Sequence, residues 1–333
     1  MRLNSLIRFF VFFGVLLVFV ACKSTSEPHS QSAQSYKQAY EVTDDEGNKV
    51  RMPHKPERIF ATHFHLENMV LGVVPQERVV AISNTMDDEY VSYVRKGEFD
   101  KPKRVGYSVP LETVIAFKPD LIIARGGMGK EQIQSFRDLG FPVYISNMPL
   151  TIEEMKDKIR GIAAVTGEPE HGKTVISKID EVLDIIKKRV PEKLAYTRSC
   201  LLVSKMNHNY GGKGCMFDDI CKHAGIRNAA ADIGINNGEL ISKEVMLKAN
   251  PDYFILSVSW ELRNGNADTY KEEFSRDPAL SSLPAVRNNH VMYIPDRYLY
   301  VSNQNCIWAI KKLSNIVYGD IFPEEKEYFI KGY

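Results

Sequence analysis

The sequence predicts an α/β protein built from two similar lobes, each with a parallel-type sheet, joined by a single long helix and separated by a ligand cleft. Three observations lead to this prediction: a helix–turn–strand stretch occurs twice, strand patterns alternate with helix patterns, and one long helical pattern lies between the two copies. Alternating strands and helices are typical of parallel sheets with crossover helices. A chain of 333 residues also exceeds one typical domain.

The repeated stretch covers Leu111–Ile123 and Lys243–Ile255. In each copy a glutamate opens a short amphipathic segment, a Pro-Asp pair follows at the same distance, and an apolar run comes next. Proline ends a helix and moves the preceding residue toward extended geometry, and the β-branched or aromatic run is typical of a buried strand. Each copy is therefore predicted to form a helix, a tight turn and a strand.

The N-terminus carries a pattern typical of export. Residues 1–21 combine a basic start with an apolar run that is too short to span a bilayer as a mature helix. The run ends in Phe19-Val20-Ala21-Cys22, which resembles the lipobox of bacterial lipoproteins and predicts lipidation of Cys22. An ordinary cleaved signal peptide is the alternative. Residues 22–39 are rich in Ser, Gln and Lys and are expected to form a flexible tether.

The mature chain is expected to be close to neutral. The whole sequence has 43 basic and 42 acidic side chains, and removal of residues 1–21 takes away Arg2 and Arg8 and no acid. This balance does not favour nucleic acid or an anionic membrane surface as a partner. Export permits disulfides, although their pairing does not follow from sequence. The remaining cysteines are Cys200, Cys215, Cys221 and Cys306.

The rest of the chain divides into an N-terminal lobe at 40–165, an interlobe helix at 166–191 and a C-terminal lobe at 192–333. The helix is expected because apolar residues recur at helical spacing between Val175 and Ile186. About twenty helical residues span roughly 30 Å, which is enough to cross from one lobe to the other.

Four local elements are also predicted. A hairpin is expected over Tyr40–Met52, with its turn at an Asp-Glu-Gly-Asn sequence, and a loop is expected over Ser257–Arg263. Two closing helices are expected over Trp308–Tyr318 and Glu324–Phe329.

Gly167–Thr174 matches the phosphate-binding P-loop pattern. A P-loop must follow a strand and open a helix, whereas a helix is predicted before this stretch. Glu168 and Glu170 would also place carboxylates beside the phosphates. We therefore interpret the stretch as a junction between two helices, with Pro169 near the start of the second.

Several segments follow one another in an informative order and spacing: the opening from Thr43-Asp44 to Pro56–Ile59, the block from Val105-Gly106 to Asp120, the block from Gly225-Ile226 to Asp252, and the long helix between these blocks. Together they resemble class III periplasmic binding proteins, the substrate-binding subunits of ABC importers for iron-siderophores, haem, cobalamin and some metals. The resemblance covers essentially the whole mature chain and implies two Rossmann-like lobes joined by a rigid helix with little hinge motion.

Glu112 and Glu244 occupy the same position in the two repeat copies, in the first turn of a predicted helix. Each alone is explained by stabilisation of the helix dipole, worth about 0.3–1 kcal/mol. In the family that the chain resembles, one glutamate per lobe pairs with arginines of the membrane permease. The resemblance therefore implies a permease-docking role for both residues.

His63-Phe64-His65 is expected at the end of the first strand of the sheet. On a strand, the two imidazoles would share one face, which suits a metal ion. The carboxyl end of a strand is also where open α/β sheets bind ligands. Packing or solvent exposure of either histidine is the alternative.

The other candidate ligand contacts follow the predicted strands of both lobes, so the topology places them at the cleft. Arginines suit carboxylate, hydroxamate or catecholate oxygens, and aromatic residues suit a large planar or apolar ligand. As a set they favour a bulky anionic chelate. These candidates are Arg125, His208, Tyr210, Trp260, Arg263, Arg297, Tyr298 and Tyr300.

The sequence and the resemblance together predict a monomeric, lipid-anchored receptor that captures an iron-siderophore-type chelate and delivers it to an ABC permease. No catalytic residue and no cofactor of its own are assigned. Haem, cobalamin or a free zinc or manganese ion are alternative ligands. A zinc-dependent hydrolase using His63 and His65 is the alternative from a different functional class.

Overall fold

The computed structural model describes residues 38–204, 210–322 and 326–333. The expected signal peptide, Cys22, almost all of the expected tether and His208 lie outside the described residues. The described residues belong to one compact unit. Within the described ranges, no helix is both long enough and apolar enough to cross a membrane.

The N-terminal lobe begins with the expected antiparallel hairpin and continues as alternating strands and helices. Its elements are β1 (Tyr40–Thr43), β2 (Lys49–Met52), β3 (Ile59–Ala61), α1 (Phe64–Val73), β4 (Val79–Ser83), β5 (Lys103–Val105), α2 (Leu111–Ala116), β6 (Leu121–Arg125), α3 (Lys130–Asp138), β7 (Val143–Ser146) and α4 (Ile152–Val165). Strands β3 to β7 form a sheet of order β5-β4-β3-β6-β7, in which every neighbouring pair is parallel.

One long helix, α5 (Pro169–Arg189), follows the N-terminal lobe. Proline stands in its first turn, where a missing backbone N–H costs nothing. Its buried stripe includes Val175, Ile179 and Ile186, and the helix packs against helices of both lobes. Its 21 residues confirm the long helix that the sequence predicts. A helix, α4, precedes it, so the P-loop pattern does lie at a helix–helix junction.

The C-terminal lobe has a second sheet, four-stranded and entirely parallel, of order β11-β10-β8-β9. The elements of this lobe are β8 (Ser199–Val203), α6 (Met216–His223), β9 (Arg227–Asn228), α7 (Ala229–Asp232), α8 (Lys243–Ala249), β10 (Tyr253–Ser257), α9 (Ser259–Arg263), α10 (Ala267–Ser275), α11 (Pro284–Arg287), β11 (Val291–Ile294) and α12 (Cys306–Tyr318).

The repeated stretch forms the same structure in both lobes: α2 leads through a tight turn into β6, and α8 leads through a tight turn into β10. The residue that ends each turn before Pro-Asp has a left-handed backbone, with φ of 47° at Lys118 and 41° at Asn250. A residue with a left-handed backbone ends the helix and changes the direction of the chain. The proline that follows it leads into the strand. The predicted helix, turn and strand are confirmed in both copies.

The aspartate of each Pro-Asp pair binds the backbone at the start of a neighbouring strand. The carboxylate of Asp120 accepts a hydrogen bond from the N–H of Arg58 (2.8 Å), directly before β3. The carboxylate of Asp252 accepts one from the N–H of Ser199 (2.8 Å), the first residue of β8. The two carboxylates therefore occupy equivalent positions at the amino ends of the two sheets, opposite the cleft.

The largest group of buried apolar side chains runs without a break through both lobes. It extends from Leu66 of α1 through Ile159 of α4 and Ile179 of α5 to Ile220 of α6 and Leu313 of α12. The other face of each sheet has a separate apolar layer. A shared core of this kind opposes large rotations of one lobe against the other.

Three local predictions are wrong. The histidine pair does not lie on a strand, because β3 ends at Ala61 and α1 begins at Phe64. The loop expected over Ser257–Arg263 contains the short helix α9, which is too brief to show a helical period. The described part of the expected helix Glu324–Phe329 is not helical; it is an irregular segment in which Phe329 is buried.

Candidate functional site

His63 is the N-cap of α1. Its backbone is extended (φ −152°), and its Nδ1 accepts a hydrogen bond from the N–H of His65 at 3.3 Å. Capping by a side chain satisfies a backbone donor that the first helical turn leaves free. The two imidazoles still lie together, with ring centroids 5.2 Å apart. The two histidines are therefore close together as predicted, but they lie at the start of a helix and not on a strand.

A cavity of about 280 Å³ opens at the carboxyl ends of β3 and β6, and we call it the His63 cavity. Its polar rim includes Arg125, at the end of β6, and Tyr107, in the loop between β5 and α2. The Nε2 of His63 lies 3.1 Å from the Oη of Tyr107, whose side chain is otherwise 64% exposed. The His63 cavity is lined by Phe60, Ala61, Thr62, His63, Glu67, Gly106, Tyr107, Ser108, Val109, Val114, Arg125, Gly127, Met128, Gly129, Gln132 and Phe136.

Both histidines are neutral near pH 7. Burial, and to a smaller extent the positive charge of Arg125, lowers the pKa of His63 to about 4. The pKa of His65 is also well below its usual value, first because of burial and then because of His63 and Arg125. The guanidinium of Arg125 is therefore the source of positive charge within this group of three side chains.

Glu67 lies at the inner wall of the His63 cavity and is almost completely buried. One carboxyl oxygen accepts a hydrogen bond from the N–H of Ser83 (2.9 Å), and the other has no hydrogen-bond partner among the described residues. Burial raises the pKa of Glu67 to about 8, against the opposing effects of Ser83 and Arg104. A neutral carboxylic acid at this place is consistent with a cavity that holds an anionic group beside Arg125.

Sequence reasoning missed Glu67 and Tyr107. The one available signal for Glu67 was a carboxyl within the apolar run from Leu66 to Val74. No sequence pattern indicates that Tyr107 is near His63. Tyr107 follows β5 and His63 follows β3, and their proximity depends on both strands lying in the same sheet.

The C-terminal lobe brings a group of aromatic side chains to the carboxyl ends of its own strands. Tyr210 meets Tyr300 edge to face, with ring centroids 6.2 Å apart. Trp260, on α9 directly after β10, is 68% exposed. Burial raises the pKa of Tyr300 to about 12, so its phenol stays protonated. These side chains present aromatic surface at the carboxyl ends of the strands of this lobe.

Arg263, Arg297 and Tyr298 hold the two lobes together. The Nε of Arg263 donates to the carboxylate of Asp88 (2.7 Å), and the N–H of Arg297 donates to the carbonyl oxygen of Tyr90 (2.9 Å). The ring of Tyr298 meets the ring of Tyr93 edge to face, with centroids 5.9 Å apart. None of these three side chains lines the His63 cavity, and their contact with a ligand stays a prediction.

A second layer of polar contacts joins the lobes below the histidines. The Nδ2 of Asn303 lies 3.5 Å from the Nδ1 of His65, and the Nε2 of Gln304 donates to the carbonyl oxygen of Asn68 (2.6 Å). Gly72 is required here, because a Cβ at this position would lie 2.6 Å from Nε2 of Gln304. The start of α1 is therefore fixed against the loop that precedes α12.

Among the described residues, the histidine candidates for a metal site are His63 and His65. Within 38–204, 210–322 and 326–333, no group of three or more His, Cys, Asp or Glu side chains is placed to hold a metal ion. Both ring nitrogens of His63 already have partners, namely the N–H of His65 and the hydroxyl of Tyr107.

A sequence profile of the periplasmic binding protein family matches residues 69–298. The chain belongs to the periplasmic binding protein family. Its relatives include the Fe(3+)-citrate-binding protein YfmC of Bacillus subtilis, 23% identical over 303 residues that cover 88% of this chain and 90% of that protein. The Vitamin B12-binding protein of Vibrio parahaemolyticus is 24% identical over 249 residues, which cover 73% of this chain and 83% of that protein.

Solved structures of periplasmic binding proteins have the same fold. The periplasmic heme-binding protein RhuT from Roseiflexus is 21% identical, with a TM-score of 0.64 over 80% of this chain and 99% of that one. A periplasmic binding protein from Veillonella parvula is 16% identical, with a TM-score of 0.69 over 84% of this chain and 98% of that one. The predicted two-lobed α/β fold is confirmed.

Membership of this family fixes the general role of the chain. It is a substrate-binding protein of the ABC-transporter type, which acts outside the cytoplasm, binds a small molecule and is not an enzyme. The hydrolase alternative is therefore set aside.

Proposed function

We propose that this periplasmic binding protein is a lipid-anchored receptor that captures an intact ferric siderophore-type chelate in the cleft between its lobes. The observation that carries the proposal is the His63 cavity, where the guanidinium of Arg125, the neutral imidazole of His63 and the exposed phenol of Tyr107 meet at the carboxyl ends of the strands of the N-terminal lobe. The chelate would be delivered to an ABC permease, and Cys22 would carry the lipid.

The electrostatics of the cavity suit the oxygen-rich surface of such a chelate. Catecholate, hydroxamate and hydroxycarboxylate complexes of iron(III) present negative oxygens, which Arg125 can bind in pairs through its planar fork of N–H donors. Neutral His63 and the hydroxyl of Tyr107 can donate or accept hydrogen bonds without adding charge. Neutral Glu67 does not repel the ligand, as an ionised carboxylate would.

The relatives support the same class of ligand. Besides the Fe(3+)-citrate-binding protein, a Petrobactin-binding protein of Bacillus subtilis is 23% identical over 309 residues. At this level of identity, several ferric chelates fit the comparison equally well.

Cobalamin or haem is the second candidate, favoured by the aromatic group of the C-terminal lobe. Tyr210, Tyr300 and Trp260 offer faces and edges suited to a macrocycle, and one relative is named for binding vitamin B12. A free metal ion is a weaker candidate, because a metal bound by His63 would have to displace a hydrogen-bond partner from its ring.

Tryptophan fluorescence tests the proposal. The sequence contains two tryptophans, of which Trp308 is buried in α12 and Trp260 is exposed. A Trp308→Phe variant makes Trp260 the reporter, and it would be titrated with ferric citrate, a ferric catecholate, a ferric hydroxamate, cobalamin, haemin and zinc chloride. We expect saturable quenching by a ferric chelate at micromolar concentrations or below.

Substitutions then locate the ligand. In the same background, Arg125→Gln should weaken binding of that chelate by at least about tenfold, since a charge-assisted hydrogen bond is worth roughly 1.5–3 kcal/mol. Arg137→Gln is the matched control, because Arg137 is on α3 of the same lobe but does not line the His63 cavity. Quenching by cobalamin or haemin alone would select the second candidate, and a response to zinc alone would reject the chelate.

A further inference from the structure

Two buried cysteines of the C-terminal lobe face each other. Cys200 lies on β8 and Cys221 on α6, 21 residues further along the chain, and their Sγ atoms are 3.5 Å apart. Both side chains are fully buried in the core that the two lobes share. A disulfide has an S–S distance near 2.05 Å, so bond formation would require the two sulfurs to approach each other by about 1.5 Å.

The other two cysteines have different surroundings. Cys215 is the N-cap of α6, and its thiol donates a hydrogen bond to the carbonyl oxygen of Gly212 (3.0 Å). Cys306 is buried at the first residue of α12. Among the four cysteines of the described residues, Cys200 and Cys221 are thus the pair whose sulfurs face each other, 3.5 Å apart.

We propose that Cys200 and Cys221 form a disulfide in the exported protein. Each thiol loses one proton and one electron as the S–S bond forms, and a disulfide compound or a disulfide-carrying oxidase accepts the two electrons and two protons, becoming two thiols. The proposal goes beyond the receptor function. It depends on the extracytoplasmic location of the chain and not on which ligand is bound.

The bond would form during folding and then be protected. In the folded chain, burial raises the pKa of Cys221 well above its ordinary value, so the thiolate needed for exchange is scarce and out of reach. Exchange therefore takes place before α6 packs on β8. The bond would close the chain segment that includes Tyr210 and Gly212 and would lower the entropy of its unfolded state.

Peptide mapping of the full chain, exported by a bacterial host, tests the proposal. Free thiols are blocked with N-ethylmaleimide in acid-quenched, denatured protein, and the digest is analysed by mass spectrometry without reductant. We expect a Cys200–Cys221 linked peptide, with Cys215 and Cys306 alkylated. Alkylation of all four residues, or a link between any other pair, would overturn the proposal, and neither outcome depends on ligand binding.

Thermal unfolding gives a second, independent readout. Heating with dithiothreitol should lower the melting temperature of the exported wild-type protein by roughly 5–10 °C. Cys306→Ala, which also alters a buried thiol, should keep this dependence on reductant. The double variant Cys200→Ala/Cys221→Ala should lose it. If that variant does not fold, the peptide map of the wild-type chain still decides the question.

Discussion

The carboxyl of Glu67 is buried beside the His63 cavity, with one oxygen on the N–H of Ser83 and the other without a hydrogen-bond partner among the described residues. Its pKa of about 8 means that the folded protein holds a proton that the unfolded chain releases near pH 4.5. The protonated carboxyl of Glu67 therefore contributes to the stability of the folded state. This contribution is fully present below pH 4.5 and is lost as the pH rises from 4.5 through 8, because the unfolded chain releases the proton while the folded protein must keep it or bury a charge.

We expect Glu67→Gln to remove this pH dependence. Glutamine keeps the acceptor for Ser83 and cannot ionise, so the variant should gain stability relative to wild type by about 1.4 kcal/mol per pH unit between pH 5 and 8. Urea unfolding at pH 5, 6, 7 and 8 measures the difference.

Glu131→Gln serves as the control for this experiment, because Glu131 is an exposed carboxylate on α3 of the same lobe. The difference in the free energy of unfolding between Glu131→Gln and wild type should stay constant over the same pH range. If the difference in the free energy of unfolding between Glu67→Gln and wild type is also independent of pH, the Glu67 carboxyl ionises normally in the folded protein.

For single residues, the sequence predicts which side chains follow the strands better than it predicts what those side chains contact. His63 and His65 lie close together as expected, and Arg125 ends β6 of the same sheet. Arg263 and Arg297 were expected at the ligand, yet their described contacts are Asp88 and the backbone near Tyr90. Those partners lie about 175 residues or more away along the chain, and no local pattern encodes such pairs.

The helices α2 and α8 are equivalent elements that present Glu112 and Glu244 in their first turns. Both side chains are exposed, and both helices begin on the cleft side of their sheets, where the preceding strand ends. A hydrogen bond from Ser242 lowers the pKa of Glu244, so this carboxylate is ionised at neutral pH. These features fit the docking of a basic permease surface across the open side of the cleft.

We expect the double variant Glu112→Ala/Glu244→Ala to lose permease-dependent uptake while its affinity for the ligand stays within about twofold, because neither glutamate lines the His63 cavity. Uptake of radiolabelled ferric chelate by whole cells measures the first effect, and fluorescence titration measures the second.

Glu131→Ala/Glu272→Ala is the matched control, since it removes one exposed helical glutamate from each lobe. This control should leave uptake unchanged. A large loss of ligand affinity in the Glu112→Ala/Glu244→Ala variant would place these carboxylates at the ligand and contradict the docking role.

The C-terminal segment is an element whose pattern the sequence did not reveal. Phe329 packs edge-on against Phe99 (5.0 Å between centroids), and the N–H of Gly332 donates to the carbonyl oxygen of Gly72 (2.8 Å). The segment thus returns to the N-terminal lobe. Regular helices and strands were predictable from their 3.6- and two-residue periods, whereas an irregular segment is stabilised by distant partners and has no period.

Phe329→Ala should therefore destabilise the whole protein, by about 3–5 kcal/mol for the loss of a buried aromatic side chain. Equilibrium unfolding in urea measures this cost. Lys326→Ala, an exposed neighbour, should change the free energy of unfolding by less than about 0.5 kcal/mol. Equal effects of the two substitutions would show that the segment is not anchored through Phe329.

For the whole molecule, the duplicated helix–turn–strand stretch and the long apolar stripe of α5 were sufficient to predict two lobes on one linking helix. They were not sufficient to predict how the lobes meet. That arrangement depends on a core shared by α1, α4, α5, α6 and α12 and on polar contacts such as Asn303 with His65. A receptor built in this way presents a largely pre-formed cleft to its ligand.

Isothermal titration calorimetry of residues 36–333 measures directly whether the protein captures an intact ferric chelate. The titrants are ferric citrate, a ferric catecholate, a ferric hydroxamate, the corresponding iron-free chelators, and zinc and manganese chlorides. We expect one-to-one binding of a ferric chelate at micromolar concentrations or below, and no comparable binding of a bare metal ion. Tight binding of zinc or manganese alone, with none of the chelates bound, would contradict it.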